Sequence, residues 1–451
     1  MNDWLHIGLG NFHRAHQAYY FNELLKLGKD DWEIVAGNIR EDAEHTVKAL
    51  QSQCGEYMLE TVNPQGKRAF HKIKSIKRLI PYTSDLKELI GIGADNQTKV
   101  ISFTVTEAGY YLNQNLEILV DNPYIQEDLK GGNKTIYGTI SKILDKRCHE
   151  NAQNITLLCC DNIRENGKHF KVGLEQFLKL SCREDLITYL HTHTTCPNTM
   201  VDRITPRPSV NLGHEILKET GFVDVAPVMS EEFIQWVIED NFANGRPDLE
   251  TVGVQMVSSV LPYEDAKLRI LNASHSCLAW AGVLSNYEYV FECAKDKKIF
   301  KLAYDYVTNA VIVALGNNGI DLNSYRDVVL ERFSNDHIRD TLQRITQDSF
   351  SKIATFILPT IRDLIVSKKD ASAVLMLIAL SFLFYEKLLA NKVAFEYQDA
   401  DYDAEWMKSV MSSTDPITSY AQNKHLFGDL ANNETLISGL KEAVNKARSL
   451  F

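Results

Sequence analysis

An α/β chain that ends in a helical domain is predicted by three observations. The apolar strand Leu5-His6-Ile7 runs into glycines and then into helical spacing. Buried-type strands alternate with helices well into the chain, and beyond Tyr263 long helical patterns follow with almost no strand signal. Strands alternating with helices mean a parallel, doubly wound sheet covered on its faces.

The elements follow in order. After Gly8-Leu9-Gly10, residues 11–27 have helical spacing, with Ala15, Tyr19, Phe21, Leu24 and Leu25 on the apolar side. Trp32–Gly37 reads as a second buried strand and Glu41–Leu50 as a second helix. Alternation over Glu56–Val62 and Arg68–Ile80 predicts additional, antiparallel strands inserted before the next parallel one. Lys99–Val105 and Ile155–Cys160 are further buried strands, with helices at Thr135–Arg147 and Lys168–Leu180. Segment 196–262 has strand-like pieces, Phe222–Val228 and Thr251–Val260, and goes with the first half. Helical patterns at 263–285, 295–315, 336–346, 371–390 and 434–449 make the second half. The expected domains are 1–262 and 263–451.

Composition narrows the function. The 451 residues include 48 Lys and Arg against 59 Asp and Glu, a net charge of −11, which argues against a nucleic-acid or anionic-membrane binder. The longest apolar run, Ala371–Tyr385, contains Ser372 and Ser381 and falls short of the roughly 20 residues a bilayer needs, so a buried helix is expected. The opening Met1-Asn2-Asp3-Trp4 lacks a basic region followed by an apolar one, and the eight cysteines form no C-x-x-C pair. Both point to a cytoplasmic protein with reduced thiols. His191-x-His193 with Cys196 has ligand types that zinc accepts, but no second cluster accompanies them. The segment reads as a short Thr-rich connection, and no metal is expected.

Gly8-x-Gly10 stands where a strand gives way to a helix. Glycines there allow a tight turn and let backbone amides approach a pyrophosphate at the helix start. A third glycine would fall at His13. A short G-x-G is by itself an ordinary turn; the strand–turn–helix context makes it a Rossmann-type dinucleotide site. Asp30 and Asp31 precede the second strand, so the adenosine contacts are expected after it, at Asn38, Arg40, Glu41 and Asp42. Arg40 leaves NAD and NADP both open, and these side chains could equally be solvated.

The second half opens with Pro262-Tyr263-Glu264-Asp265, a helix start, followed by Lys267, Asn272 and His275. On an α-helix Asn272 lies about 140° and His275 about 80° from Lys267, so the three share one arc among apolar residues while Arg269 points away. Two readings follow. The three form a satisfied buried polar cluster, or Lys267 is a desolvated base flanked by hydrogen-bond donors for an oxyanion.

Five segments resemble the mannitol dehydrogenase family of polyol dehydrogenases and related uronate reductases. They are Gly8-Leu9-Gly10-Asn11-Phe12-His13-Arg14-Ala15-His16, Thr106-Glu107-Ala108-Gly109-Tyr110, Cys160-Asp161-Asn162, Met200-Val201-Asp202-Arg203-Ile204-Thr205-Pro206, and Lys267-x4-Asn272-x2-His275. They occur in the family's order along nearly the whole chain. The family signature reads G-x-G-x-F, so the absent third glycine agrees with it.

The resemblance implies a Rossmann-type domain followed by a helical one, and metal-independent oxidation of a polyol to a ketose with NAD. It implies Lys267 as general base, Asn162 and Asn272 holding the developing alkoxide, and His275 orienting hydroxyls. Glu264 would conduct the proton to solvent, while Asp202, Arg344 and Lys352 would hold distal hydroxyls. Gly8, Gly10, Asn11, Phe12, Asn38, Arg40, Glu41, Thr106 and Glu107 are the expected cofactor residues. D-arabinitol to D-xylulose is the leading expectation, with mannitol or a hexuronate (fructuronate or tagaturonate) as alternatives. A catalytically silent dinucleotide-binding protein is the rival of another class. A monomer or small homo-oligomer is expected, with no nucleic-acid or membrane partner.

Overall fold

Six parallel strands form the main sheet of the computed structural model, which describes residues 1–113, 115–150, 152–399 and 401–451. The strands of the chain are β1 (Asn2–Ile7), β2 (Trp32–Gly37), β3 (Tyr57–Val62), β4 (Arg68–Ile73), β5 (Ile76–Leu79), β6 (Thr98–Phe103), β7 (Ile155–Cys159), β8 (Thr194–Thr195), β9 (Thr199–Asp202), β10 (Val228–Glu231), β11 (Gln235–Glu239) and β12 (Gln255–Val257). The main sheet runs β5-β2-β1-β6-β7-β8, all pairs parallel. Numbered within the sheet this is order 3-2-1-4-5-6, the doubly wound arrangement whose crevice opens beside the first strand. Trp4, Leu5 and Ile7 of β1 are fully buried, as expected of a central strand covered on both faces.

The inserted region differs from the alternation pattern in one respect. β4 pairs antiparallel with β3, but the stretch after it turns back, and β5 joins the main sheet parallel to β2. The break falls at Lys74-Ser75, where Asn22 Oδ1 takes the Lys74 amide at 2.9 Å and Ser75 Oγ donates to the Ala18 carbonyl at 2.6 Å. Those local bonds compete with continued pairing. Two small sheets complete the unit, β10-β3-β4 and β12-β11-β9. Of the strand-like piece 222–228 only Val228 enters a strand, and 251–260 keeps β12 alone. His191 and His193 lie in the last turn of the helix Glu184–His193, and Thr194–Thr195 is the edge strand β8 rather than a loop.

By internal contacts the chain divides into one unit of Met1–Val62 with Arg68–Leu261, and a second of Pro262–Phe451 with the turn Asn63–Lys67. The second unit is helical. Its core centres on the helix Ser372–Leu389, buried from Val374 to Tyr385 and packed against Glu434–Leu450 and Ala273–Leu284. The pattern at 336–346 is helical only from Leu342 to Thr346. Asp340 lies outside that helix, beside a bridge between Tyr289 and Thr341. The helices Leu322–Phe333 and Leu358–Val366 were not evident in the spacing. Among the described residues, three π-helical segments interrupt the α-helices: Lys267–Asn272, Val307–Val311 and Ile353–Ile357. The first packs against the other two.

Candidate active site

The glycine turn of the first unit is tied to both flanking strands. The Gly8 amide donates to the Gly37 carbonyl of β2 at 2.9 Å, and the Thr104 amide, just after β6, donates to Ile7 at 2.9 Å. Thr104 Oγ1 donates to the Gly8 carbonyl at 2.9 Å. The Leu9 amide donates to Asn38 Oδ1 at 2.8 Å. Gly8 has φ +110°, and a Cβ there would lie 2.1 Å from the Thr104 carbonyl oxygen, so only glycine fits. Gly10 is different: a Cβ would meet nothing nearer than the Gly8 carbonyl at 4.0 Å. Its small size leaves the backbone approachable from outside.

These features fit a dinucleotide. No side chain caps the short helix that opens at Asn11, and Asn38 Nδ2 is buried without a hydrogen-bond partner. Asn11 Oδ1 accepts from Arg14 at 2.7 Å, and the Phe12 ring stacks on His16 at 4.9 Å. Both therefore hold the helix start in place. Arg40 and Glu41 are exposed, with Arg40 donating to the Tyr111 hydroxyl at 2.9 Å. Below the turn, His6 stacks on His13 at 3.5 Å, and burial pushes the His6 imidazole down to about 3.

Thr106 and Glu107 follow β6 and are exposed, Thr106 with φ +67°. Backbone in that region needs support from its surroundings. Asp161 supplies it. Its buried carboxylate accepts the amides of Val105 at 2.9 Å and Thr106 at 3.0 Å, and the Tyr110 hydroxyl at 2.5 Å. Burial pushes the Asp161 carboxyl up, against those three bonds. Asn162, its neighbour, lies three residues past the end of β7, and buried Asp202 closes β9 opposite Gln235. The role of Asp161 was not read from the sequence. It lies inside the Cys160-Asp161-Asn162 segment, but nothing in the spacing shows what a buried carboxylate accepts.

In the second unit Glu264, Lys267 and Asn272 lie on one continuous helical run. Glu264 is 3 % and Lys267 7 % exposed, and Asn272 is half-buried. Lys267 opens the π segment that Asn272 closes. An i→i+5 turn winds each residue through less than the α-helical angle. Asn272 therefore stands closer to the azimuth of Lys267 than an α-helix would put it. The widened turn is held by its neighbours: the Tyr306 hydroxyl donates to the Arg269 carbonyl at 2.8 Å, and Ser276 Oγ to the Asn272 carbonyl at 3.2 Å. Arg269 is buried and pairs with Asp363 at 2.5 Å.

His275 continues the run, its ring 4.7 Å from Phe333. Burial pushes the imidazole down to about 4, with Asp340 opposing, so it is neutral at pH 7. Its Nε2 is buried without a hydrogen-bond partner, 3.6 Å from Asp340. Arg344 Nε donates to Asp340 at 2.6 Å, and its Nη2 to the other carboxylate oxygen. Asp340 thus joins two residues that the sequence placed in the site, and it was itself missed because it fell inside an expected helix. Lys352 Nζ donates to the Ile345 carbonyl at 2.8 Å and the Gln347 carbonyl at 2.5 Å. Burial pushes its ammonium down to about 8. The Trp280 indole donates to Ser349 Oγ at 3.0 Å, fixing the Lys352 segment to the helix that carries His275.

Residues 2–251 match the mannitol dehydrogenase Rossmann domain, and residues 259–448 match the mannitol dehydrogenase C-terminal domain. The chain belongs to the mannitol dehydrogenase family. It is 51% identical over 448 residues to a D-arabinitol 4-dehydrogenase of Klebsiella pneumoniae, covering 99% of this chain and 98% of that one. A mannitol 2-dehydrogenase of Pseudomonas fluorescens, solved as a ternary complex with NAD and D-mannitol, is 31% identical with a TM-score of 0.84, covering 100% of this chain and 92% of that one. A substrate-free D-sorbitol dehydrogenase is 29% identical with a TM-score of 0.89, covering 100% of this chain and 93% of that one. Family membership agrees with the parallel sheet and the helical second unit.

Proposed function

We propose that the protein is an NAD-dependent, metal-independent polyol dehydrogenase that oxidises D-arabinitol to D-xylulose, with Lys267 as the general base. The observation that carries the chemistry is a buried lysine opening a π turn, with Asn272 closing it and a neutral imidazole in the following turn. The choice of D-arabinitol rests on the 51% identity to a D-arabinitol 4-dehydrogenase.

Bound NAD supplies the nicotinamide that accepts hydride. Gly8, Gly10, Asn11, Phe12 and Asn38 hold its pyrophosphate end, Arg40 and Glu41 the adenosine, and Thr106 and Glu107 complete the binding edge. The exposed carboxylate of Glu41 suits a ribose hydroxyl, and the NAD bound by the Pseudomonas fluorescens relative supports NAD as the cofactor. Lys267 takes the alcohol proton, and Glu264, one turn earlier, passes it on toward solvent. Asn272 donates to the alkoxide as charge develops on it, the role also assigned to Asn162. Neutral His275 offers one N–H and one lone pair, so it orients a hydroxyl without adding charge. Arg344, Lys352 and Asp202 hold the distal hydroxyls.

The test is the initial rate of reduced nicotinamide formation with NAD and with NADP across D-arabinitol, L-arabinitol, xylitol, D-mannitol and D-sorbitol. NADH with fructuronate and tagaturonate is assayed in the reverse direction. D-arabinitol with NAD is expected to have the highest kcat/KM. Activity confined to a uronate overturns the substrate while leaving the lysine chemistry, and activity with none of them overturns the reading.

A further inference from the structure

Arg344 is a guanidinium on a helix end, and a free guanidinium is the usual partner of a carboxylate-bearing substrate. Here it is already engaged. Its Nε and Nη2 both donate to Asp340, so one edge of the fork is used and the charge is compensated. The Arg344 side chain is 64% exposed while that of Asp340 is 8% exposed, so the cation faces outward over a buried anion. Asp340 is fixed by its backbone: its carbonyl accepts the Val290 amide at 3.0 Å, and the nearby Leu342 amide donates to Glu288 at 2.9 Å. These bonds anchor the main chain that carries the carboxylate. The other charges bearing on His275 and Lys352 also balance: Arg332, Arg344 and Lys352 face Asp340, Asp348 and Asp399. A neutral polyol needs hydrogen-bond donors, which Arg344 retains at Nη1. A sugar acid needs an uncompensated cation, which Arg344 is not.

We propose that Asp340 is a specificity-determining residue that cancels the charge of Arg344, so that the site selects neutral polyols and ketoses over anionic sugar acids. The proposal rests on the placement of Arg344 and His275 in the polyol site given above.

Asp340→Asn tests it, since the amide keeps the shape and an acceptor for Arg344 but removes the charge. The probes are D-arabinitol, read as KM, and its carboxylate analogue D-arabinonate, read as an inhibition constant on the NAD-loaded enzyme and by calorimetry. The expected result is that D-arabinonate binds about tenfold or more tightly in the variant, with no matching gain for D-arabinitol. Asp340→Glu, which keeps the charge, should retain the wild-type discrimination. A parallel change for both probes, or no change for either, overturns the proposal and leaves Asp340 a structural residue. If the wild type oxidises no polyol, the reading of the site fails instead, and calorimetry with D-arabinonate on both proteins still decides the charge effect.

Discussion

In the first unit the candidate chemistry is carried by backbone. The turn at Gly8–Gly10 is fastened to β2 and to the segment after β6 by four hydrogen bonds, three of them from main-chain amides. In the second unit it is carried by side chains on one helical run, re-phased by a π turn and surrounded by buried charge. The two regions therefore fail differently. Damage to the turn should disturb folding and cofactor binding. Damage to the helical run should remove chemistry and leave cofactor binding intact.

The largest effect is expected at Lys267. Lys267→Ala should cut turnover by about 10³-fold or more, the scale of a lost general base, with NADH affinity close to wild type by fluorescence titration. Added primary amines should restore part of the rate. Loss of NADH binding would erase the contrast between the regions and make Lys267 a structural residue.

The glycines sharpen the contrast within the turn itself. Gly8→Ala puts a Cβ 2.1 Å from the Thr104 carbonyl at φ +110°, and should cost on the order of 3 kcal/mol or more, read as a fall in Tm. Gly10→Ala has φ −93° and open space at its Cβ. Its stability should hold or rise by up to about 1 kcal/mol. Its NADH affinity should fall about tenfold, because the methyl stands where the pyrophosphate approaches. Equal losses of stability in the two variants would show that Gly10 serves the fold and not the ligand.

The same division explains what the sequence made legible. Glycines at a strand end and apolar runs such as Trp32–Gly37 and Ile155–Cys159 carry their structure in composition, so the sheet and its turn could be read. β8 is two residues long, and β5 follows β4 after a break set by tertiary bonds to Asn22 and Ala18. The first leaves no periodic trace, and the alternation that covers the second does not show that it pairs parallel with β2. Lys267, Asn272 and His275 could be found, but their mutual phase could not, because no residue preference marks an i→i+5 turn. Asp161 and Asp340 were missed for one reason. A carboxylate becomes informative only when its burial and its donors are known, and Asp161 stood inside a motif while Asp340 stood inside a stretch that reads as helix.

Asp161 is the next test, since it is a side chain acting on the backbone region. Asp161→Asn replaces one accepting oxygen with an NH2 group, set either against the Thr106 amide or against the Val105 amide and the Tyr110 hydroxyl. The expected cost is about 1–3 kcal/mol of stability, with weaker NADH binding as the Thr106 segment loosens. Tyr110→Phe removes one donor and leaves the two amides paired, so it should lower stability less and keep NADH affinity. If Tyr110→Phe loosens the cofactor as much as Asp161→Asn does, the segment is held by the phenol and not by the carboxylate.

The smallest effect near neutral pH belongs to His275, and it separates burial from chemistry in the second unit. The folded imidazole titrates at about 4, against an ordinary value of 6.5. The unfolded chain therefore binds this proton first as pH falls, so the stability due to a neutral His275 is complete above 6.5 and is lost progressively toward 4. By pH 5.5 the loss amounts to about 1 kcal/mol. His6, His13, His71 and His169 in the first unit are pushed down by burial as well, so the wild-type acid limb sums all five. His275→Gln keeps hydrogen-bonding capacity and has no charge to gain. Its Tm should therefore fall less steeply between pH 6.5 and 4 than that of the wild type, the difference being the share of His275. Superimposable acid limbs would mean that the His275 ring is protonated as readily in the folded chain as in the unfolded one, and the neutral imidazole of the second unit would have to be given up.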